Sequence, residues 1–251
     1  MKSTLSVALV VVCAFPIAGA LSRLAVRPPP PRIADSREAP PATAEHAEAS
    51  STSSATATVR PMSPLQIERA IVERARVEVL RGVRYDASYQ ALLSYPRGDV
   101  PEDVGACTDL VVRALRAVDF DLQVLVHEDV VRAPEHYPFD DVGDASIDHR
   151  RVATLQAYFE HNTLSLGVDV REPWTFRPGD VVFYARHRCA PGFSCPARHV
   201  ALVSDRLGPR GLPLVLQNGG PRAAESDALD QPVMVGHFRL PTSVLALRTA
   251  R

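Results

Sequence analysis

"DVGACTDLVVRAL", Asp103 to Leu115, places a cysteine directly ahead of a helical pattern. Leu110, Val111, Ala114, Leu115 and Val118 follow Cys107 at helical spacing, so the thiol shares the apolar stripe of a single helix. It sits in the first turn, where backbone N–H groups lack intrahelical partners and the helix dipole is positive. Both features favour thiolate. On position alone two readings stay open: an activated nucleophile, or a structural cysteine, because free Cys is among the most buried residue types.

Upstream, Ser63 and Pro64 read as an N-cap and a first-turn proline, and Ile67, Ile71, Ala75 and Val79 recur at helical spacing until Gly82 stops the run. The Arg and Glu residues between them are expected on a solvated face. A loop-rich stretch with Tyr85, Tyr89 and Tyr95 leads on to Cys107. Downstream, "RRVATLQAYFEHN" (150–162) predicts a helix with Val152, Leu155, Tyr158 and Phe159 on one side. Beyond Trp174 the pattern turns to strands: "RPGDVVFYA" (177–185), "HVALVSD" (199–205), "LVLQN" (214–218) after a turn-rich connection, and "MVGHFRL" (234–240). Helices first and an antiparallel sheet after predict an α+β fold, with the Cys107 helix packed on the sheet.

The 251 residues are 46% hydrophobic, enough for one ordinary core once the tails are set aside. Lys plus Arg total 28 against 29 Asp plus Glu, and no long basic stripe emerges. Nucleic acid is therefore not an expected partner. Residues 1–26 combine Lys2, an apolar run from Leu5 and the small-residue pattern Ala18-Gly19-Ala20, which predicts a signal peptide. The alternative is an uncleaved anchor tethering the chain to a membrane. Cys13 lacks the preceding leucine pattern of a lipoprotein. Residues 27–62 are rich in Pro, Ala, Ser and Thr and have almost nothing large to bury, so a disordered spacer is expected before a domain at 63–251.

A cysteine nucleophile needs a neighbouring base, and that base needs a polar group to orient it. His199 opens one strand, and Gln217 and Asn218 end its expected partner. If residue 199 lies opposite 217, the orienting group is Gln217; a one-residue slip makes it Asn218.

The order of helix-borne cysteine, "RPGDVVFY", "HVALVSD" and a strand ending in a polar residue resembles the NlpC-type papain-like superfamily of cell-wall amidases and peptidases. More closely, "RYDASY", "YPRGDVPEDVGACTDLVVRALRA", "LVHEDV", "IDHRRVATLQAYF", "RPGDVV", "HVALVSDR" and "LVLQNGG" resemble the bacterial YijF-like family, a domain of unknown function, from about Leu65 to Leu240. The resemblance implies a papain-like fold in which Cys107 is the nucleophile and His199 the base. It maps the orienting residue best onto Gln217, where nearer relatives are expected to carry histidine followed by asparagine. It also implies that Tyr85 helps hold a developing oxyanion, beside a backbone N–H at the helix start. Asp109, the group His127, Glu128 and Asp129, and the group Asp148, His149, Arg150 and Arg151 belong to the same pattern. They read either as substrate-binding residues, with the arginines on peptide carboxylates, or as salt-bridged scaffolding.

His187, Cys189, Cys195 and His199 are residue types that bind zinc, but their spacing is not that of a standard finger and Arg186, Arg188 and Arg198 crowd them with positive charge. In an exported protein a Cys189–Cys195 disulfide is the preferred expectation, contributing roughly 2 kcal/mol in the loop-entropy model. That leaves Cys107 as the free thiol of the mature chain. The expected protein is an exported or envelope-associated cysteine hydrolase acting on an amide of peptidoglycan or a related peptide. Its chemistry calls for no metal, no organic cofactor and no partner protein. The alternative is a non-catalytic wall-binding or scaffold domain of the same fold.

Overall fold

Ser63 begins the first element because it satisfies two backbone donors that a helix start leaves open. Its Oγ accepts from the Gln66 N–H, and the Gln66 Oε1 accepts from the Ser63 N–H at 2.8 Å. The resulting helix, α1, runs Pro64–Arg81 and ends at Gly82, whose φ of 62° is the left-handed turn that glycine adopts without a Cβ clash. The computed structural model describes residues 62–88, 94–137, 142–187, 196–231 and 233–241. The expected signal peptide or anchor, nearly all of the expected spacer, and the expected Cys189–Cys195 disulfide lie outside the described residues.

Ile67, Ile71, Val72 and Ala75 bury one side of α1. The expectation that all its Arg and Glu residues are solvated is corrected at Glu78, which is 1% exposed. It accepts from Arg74 and from the buried Arg113, whose remaining N–H groups reach Asp99 and the carbonyls of Val100 and Pro101. A buried charge is retained when paired and fully hydrogen-bonded, and here the pairing ties α1 to the helix that carries Cys107.

Two short strands, β1 at Arg84–Tyr85 and β2 at Val104–Gly105, pair in parallel and deliver the chain into α2, Cys107–Arg116. A helix not anticipated from the sequence, α3, follows at Leu122–Arg132. Its signal was present: Asp121 caps the Gln123 N–H, and Leu122, Leu125, Val126 and Val130 fall on one buried face. Next come α4, Val152–Asn162, and the strands β3 Leu164–Ser165, β4 Val181–Ala185, β5 His199–Leu207, β6 Pro213–Gln217, β7 Ala224–Ser226 and β8 Val233–Arg239. The last six form one sheet in the order β3-β8-β4-β5-β6-β7, antiparallel at every pairing. The α+β class and the antiparallel sheet are as expected; the short outer strands β3 and β7 carry too few residues to show an alternating pattern.

Both faces of this sheet are covered. Val181, Phe183, Val200, Leu202, Leu216 and Phe238 join the core made with the helices, which includes Cys107 and Leu110. Phe159 of α4 packs its ring against Phe183 and Phe238 at 5.6 and 5.8 Å between centroids. Residues of the opposite parity, among them Val182, Tyr184, Ala201, Val203 and Val215, build a second core with Phe176 and Leu229. The period of two therefore decides which chemistry can reach the helix side.

Candidate active site

The β5–β6 register pairs Leu202 with Leu216 and Val203 with Val215. Continued toward the start of β5, it sets His199 opposite Gly219, so neither residue 217 nor residue 218 lies directly across from it. Gln217 still reaches His199, because the two are diagonal neighbours on one face of the sheet. Gln217 Oε1 stands 2.6 Å from His199 Nε2, and Gln217 Nε2 donates to Ser226 Oγ at 2.7 Å. With the amide committed in this way, Nε2 of His199 carries the proton and donates to Gln217, and Nδ1 presents its lone pair. Burial holds the imidazole below the ordinary histidine pKa, against the opposing pull of Gln217, so the ring is neutral at pH 7.

Asn218, one residue on, points through the other side of the sheet. Its Nδ2 donates to the Gly105 carbonyl at 2.8 Å, and the same oxygen accepts from the Asp86 N–H at 3.0 Å. Asn218 therefore secures the strand that immediately precedes Cys107 and does not orient His199. Gly105 is needed there for space: a Cβ would stand 3.1 Å from the Asp109 Cβ.

Asp109 completes the start of α2. Its Oδ2 accepts from the Ala106 N–H at 2.6 Å, and its two oxygens receive Nε and Nη2 of Arg150 at 2.8 and 3.0 Å. Ala106 has no side-chain oxygen, so Asp109 supplies the cap from inside the helix. Arg150 also donates to the Ser88 carbonyl, and Thr108 Oγ1 donates to the Arg150 carbonyl. Arg150 is thus bound up in holding the helix start, and a peptide carboxylate would have to compete with Asp109 for it.

Cys107 is 5% exposed. The backbone N–H groups of Thr108 and of Cys107 itself, which a helix start provides, and that of Val200 on β5 favour thiolate. Burial outweighs them, and with the nearby Asp109 charge it pushes the thiol above its ordinary range. The expectation of a lowered thiol pKa is corrected accordingly: the resting pair is thiol and neutral imidazole. Among the described residues the Cys107 and His199 side chains share no hydrogen bond. The thiol meets β5 at the Val200 N–H, one residue from His199, while alternation turns the imidazole toward the other face.

Tyr85 lies beside this junction, and the Cys107 and Asp109 charges add to burial in raising its phenol. Its backbone N–H donates to the Pro221 carbonyl, and its ring lies 3.6 Å from where a Gly220 Cβ would stand. Gly219 is equally close to the imidazole, a Cβ there standing 3.4 Å from His199 Cε1. The two glycines line an open cleft of about 690 Å³ with His199, Gln217, Ser226 and Gln231.

Asp148 and His149 are not brought to this cleft. Asp148 accepts from the Gly143 N–H and from Arg151, and burial raises its carboxyl. His127 Nδ1 stands 3.8 Å from Asp148, beyond hydrogen-bond reach. Asp129 accepts from Tyr137, Asn162 and Arg132. Glu128 makes no described hydrogen bond or ion pair. His149 is 2% exposed, and burial with the charges of Arg116 and Arg150 lowers its pKa to about 4. Above pH 6.5 it is neutral folded and unfolded; as pH falls from 6.5 to about 4, the unfolded chain takes up a proton that the folded one resists. Stability should fall over that window by roughly 3 kcal/mol in all and level off below it. Urea unfolding at pH 7 and pH 4.5 checks this: His149→Gln should lose less stability between the two values than the parent, and equal losses would refute it.

No group of three or more His, Cys, Asp or Glu side chains suited to a metal ion occurs among the described residues. Fold and site together define an α+β domain whose helix-start cysteine packs against β5 beside Val200, next in sequence to a histidine that a glutamine holds on the other face of the sheet. The chain belongs to the family described as Domain of unknown function (DUF1287), which matches residues 72–240. The uncharacterized protein YijF of Escherichia coli (strain K12) is 38% identical over 173 residues, covering 68% of this chain and 80% of that protein. The expected YijF-like relationship, read over residues 65–240, is thereby borne out.

Proposed function

We propose that this protein is an exported cysteine hydrolase, on a papain-like fold of NlpC type, that cleaves an amide bond in peptidoglycan or a related peptide. The observation that carries the reading is the His199–Gln217 hydrogen bond, which leaves His199 Nδ1 as a free proton acceptor one residue along β5 from the Val200 N–H that favours the Cys107 thiolate. Catalytic hydrogen bonds are often long or unmade before substrate arrives. On this reading the thiol has to leave its place beside Val200 and reach the imidazole as substrate settles across Gly219 and Gly220.

Nδ1 of His199 takes the thiol proton as the sulfur attacks the amide carbonyl, and the C–S bond forms. The oxyanion is met by backbone N–H groups at the start of α2 and by the Tyr85 hydroxyl. The imidazolium returns its proton to the departing amine as the C–N bond breaks. Water, deprotonated by the same Nδ1, then attacks the thioester and releases a carboxylate and the free thiol. The amine-bearing and acid-bearing fragments account for every atom of substrate and water.

The test is release of soluble fragments from purified peptidoglycan by the full chain. Parent protein should release them, Cys107→Ala should not, and no release by the parent would sink the reading. Gln217→Ala should slow release by about 10- to 100-fold with little change in thermal midpoint, because it removes the orienting acceptor of His199. Asn218→Ala should do the reverse, costing about 1–2 kcal/mol of stability through the Gly105 carbonyl. Equal effects of the two substitutions on rate would remove Gln217 from the orienting role.

A second reading is favoured by the buried, upshifted thiol: a non-catalytic wall-binding domain of the same fold. It expects Cys107→Ala and parent to sediment equally with insoluble peptidoglycan while neither degrades it.

A further inference from the structure

Around the cleft the ionic pairing is uneven. The acidic residues that follow it in sequence are already committed: Glu225 to Arg76 and Arg206, and Asp227 and Asp230 to Arg210. Arg84, whose backbone bridges to that of Arg222, is paired with Asp103. Arg222 itself lines the cleft beside Gly219 and Gly220, and among the described residues no carboxylate lies within ion-pair distance of it. Its one side-chain hydrogen bond runs from Nη1 to the Gly82 carbonyl at 2.7 Å, an uncharged partner at the end of α1. The other groups lining the cleft are neutral amides, a hydroxyl, small residues and the neutral imidazole, with no acidic side chain among them.

A guanidinium tethered through one nitrogen keeps its Nε and Nη2 donors, the edge that matches two carboxylate oxygens. The tether also reduces the rotamer freedom lost on binding. We infer that Arg222 is a specificity residue of the cleft, and that the substrate bears a free carboxylate which Arg222 binds while the scissile amide lies at His199. This rests on the hydrolase reading for the identity of the reacting end, and it moves the carboxylate-binding role expected of Arg150 to an arginine that, among the described residues, no acidic side chain occupies. Arg222 touches the substrate away from the reacting atoms.

The experiment separates binding from turnover. The full chain carrying Cys107→Ala is titrated calorimetrically with the peptide Ala-Glu-Lys-Ala bearing free carboxyl groups, and with the same peptide carrying amides in their place. The acid form should bind about 10-fold or more tightly than the amide form, the difference shrinking as salt rises. Arg222→Gln should abolish the difference, and Arg222→Lys should keep part of it, whereas a purely structural cap on α1 would leave it untouched. Equal binding of the two peptides, binding of neither, or discrimination that persists in Arg222→Gln would each overturn the inference. Because the acid–amide comparison is made on unaltered Arg222, it stands even if Arg222→Gln fails to fold. Discrimination without wall hydrolysis by the parent would retain this inference and remove the hydrolase reading. Hydrolysis with no discrimination would do the opposite.

Discussion

Asp109→Ala is expected to lower the free energy of unfolding by about 3–5 kcal/mol, the range for removing one member of a buried ion pair. The substitution leaves the Arg150 guanidinium, 6% exposed in its side chain, without its carboxylate, and leaves the Ala106 N–H without its acceptor. Both losses fall at the start of α2, so the position of the Cys107 sulfur should loosen with them. Adding Arg150→Met should recover a substantial part of the stability, because an apolar replacement of both partners removes the uncompensated charge. Denaturant midpoints of the parent, the two single variants and the double variant check this as a cycle. Additive losses would mean that the pair is not the energetic unit described here.

The second large effect concerns reactivity. With the thiol buried and pushed up and the imidazole neutral, Cys107 of the folded chain should react with iodoacetamide at pH 7 about 100-fold or more slowly than the unfolded chain's thiol. Its labelling should rise steadily on the alkaline side, without a plateau near neutrality. Hydrolysis should behave differently on the acid side. The base must be neutral, and burial depresses the His199 pKa, so activity should persist below the ordinary histidine value of about 6.5 and be lost only as pH falls through the depressed one. His199→Ala should reduce hydrolysis by about 10²- to 10⁴-fold and leave the slow alkylation nearly unchanged, because the resting thiol and imidazole share no hydrogen bond. Rapid labelling near neutrality that slows in His199→Ala would mean that a thiolate–imidazolium pair is already assembled at rest. Mass spectrometry of the labelled chain across pH distinguishes the two.

The helix carrying Cys107 could be read from sequence because its signal is local: apolar residues at helical spacing, with Asp109, Arg113 and Arg116 between them. The strands holding His199 and Gln217 were legible for the same reason, through their alternation. α3 is not among the helices expected from the sequence, although Asp121 and the apolar residues after it carry the pattern. The roles of Gln217 and Asn218 could not be separated in the sequence. They are adjacent, both are amides, and only the strand register and the period of two send one to His199 and the other to the Gly105 carbonyl.

By itself the sequence determined most of the longer helices and strands, the α+β class, the membership of a YijF-like family and the identity of the residues, Cys107, His199 and Gln217 among them, proposed for a site. Tertiary structure alone decided the state of those residues. A thiol at a helix start gains N–H donors from its local backbone, a property of the first turn, but how much water surrounds it depends on what packs above it. Here Cys107 lies in the core that α2 makes with β5, and burial overrides the helix start. Arg150 and Arg222 are likewise indistinguishable as letters. One is neutralised by Asp109 across 41 residues of chain, and the other, among the described residues, reaches a carbonyl, because ion pairing is set by which elements the fold brings together.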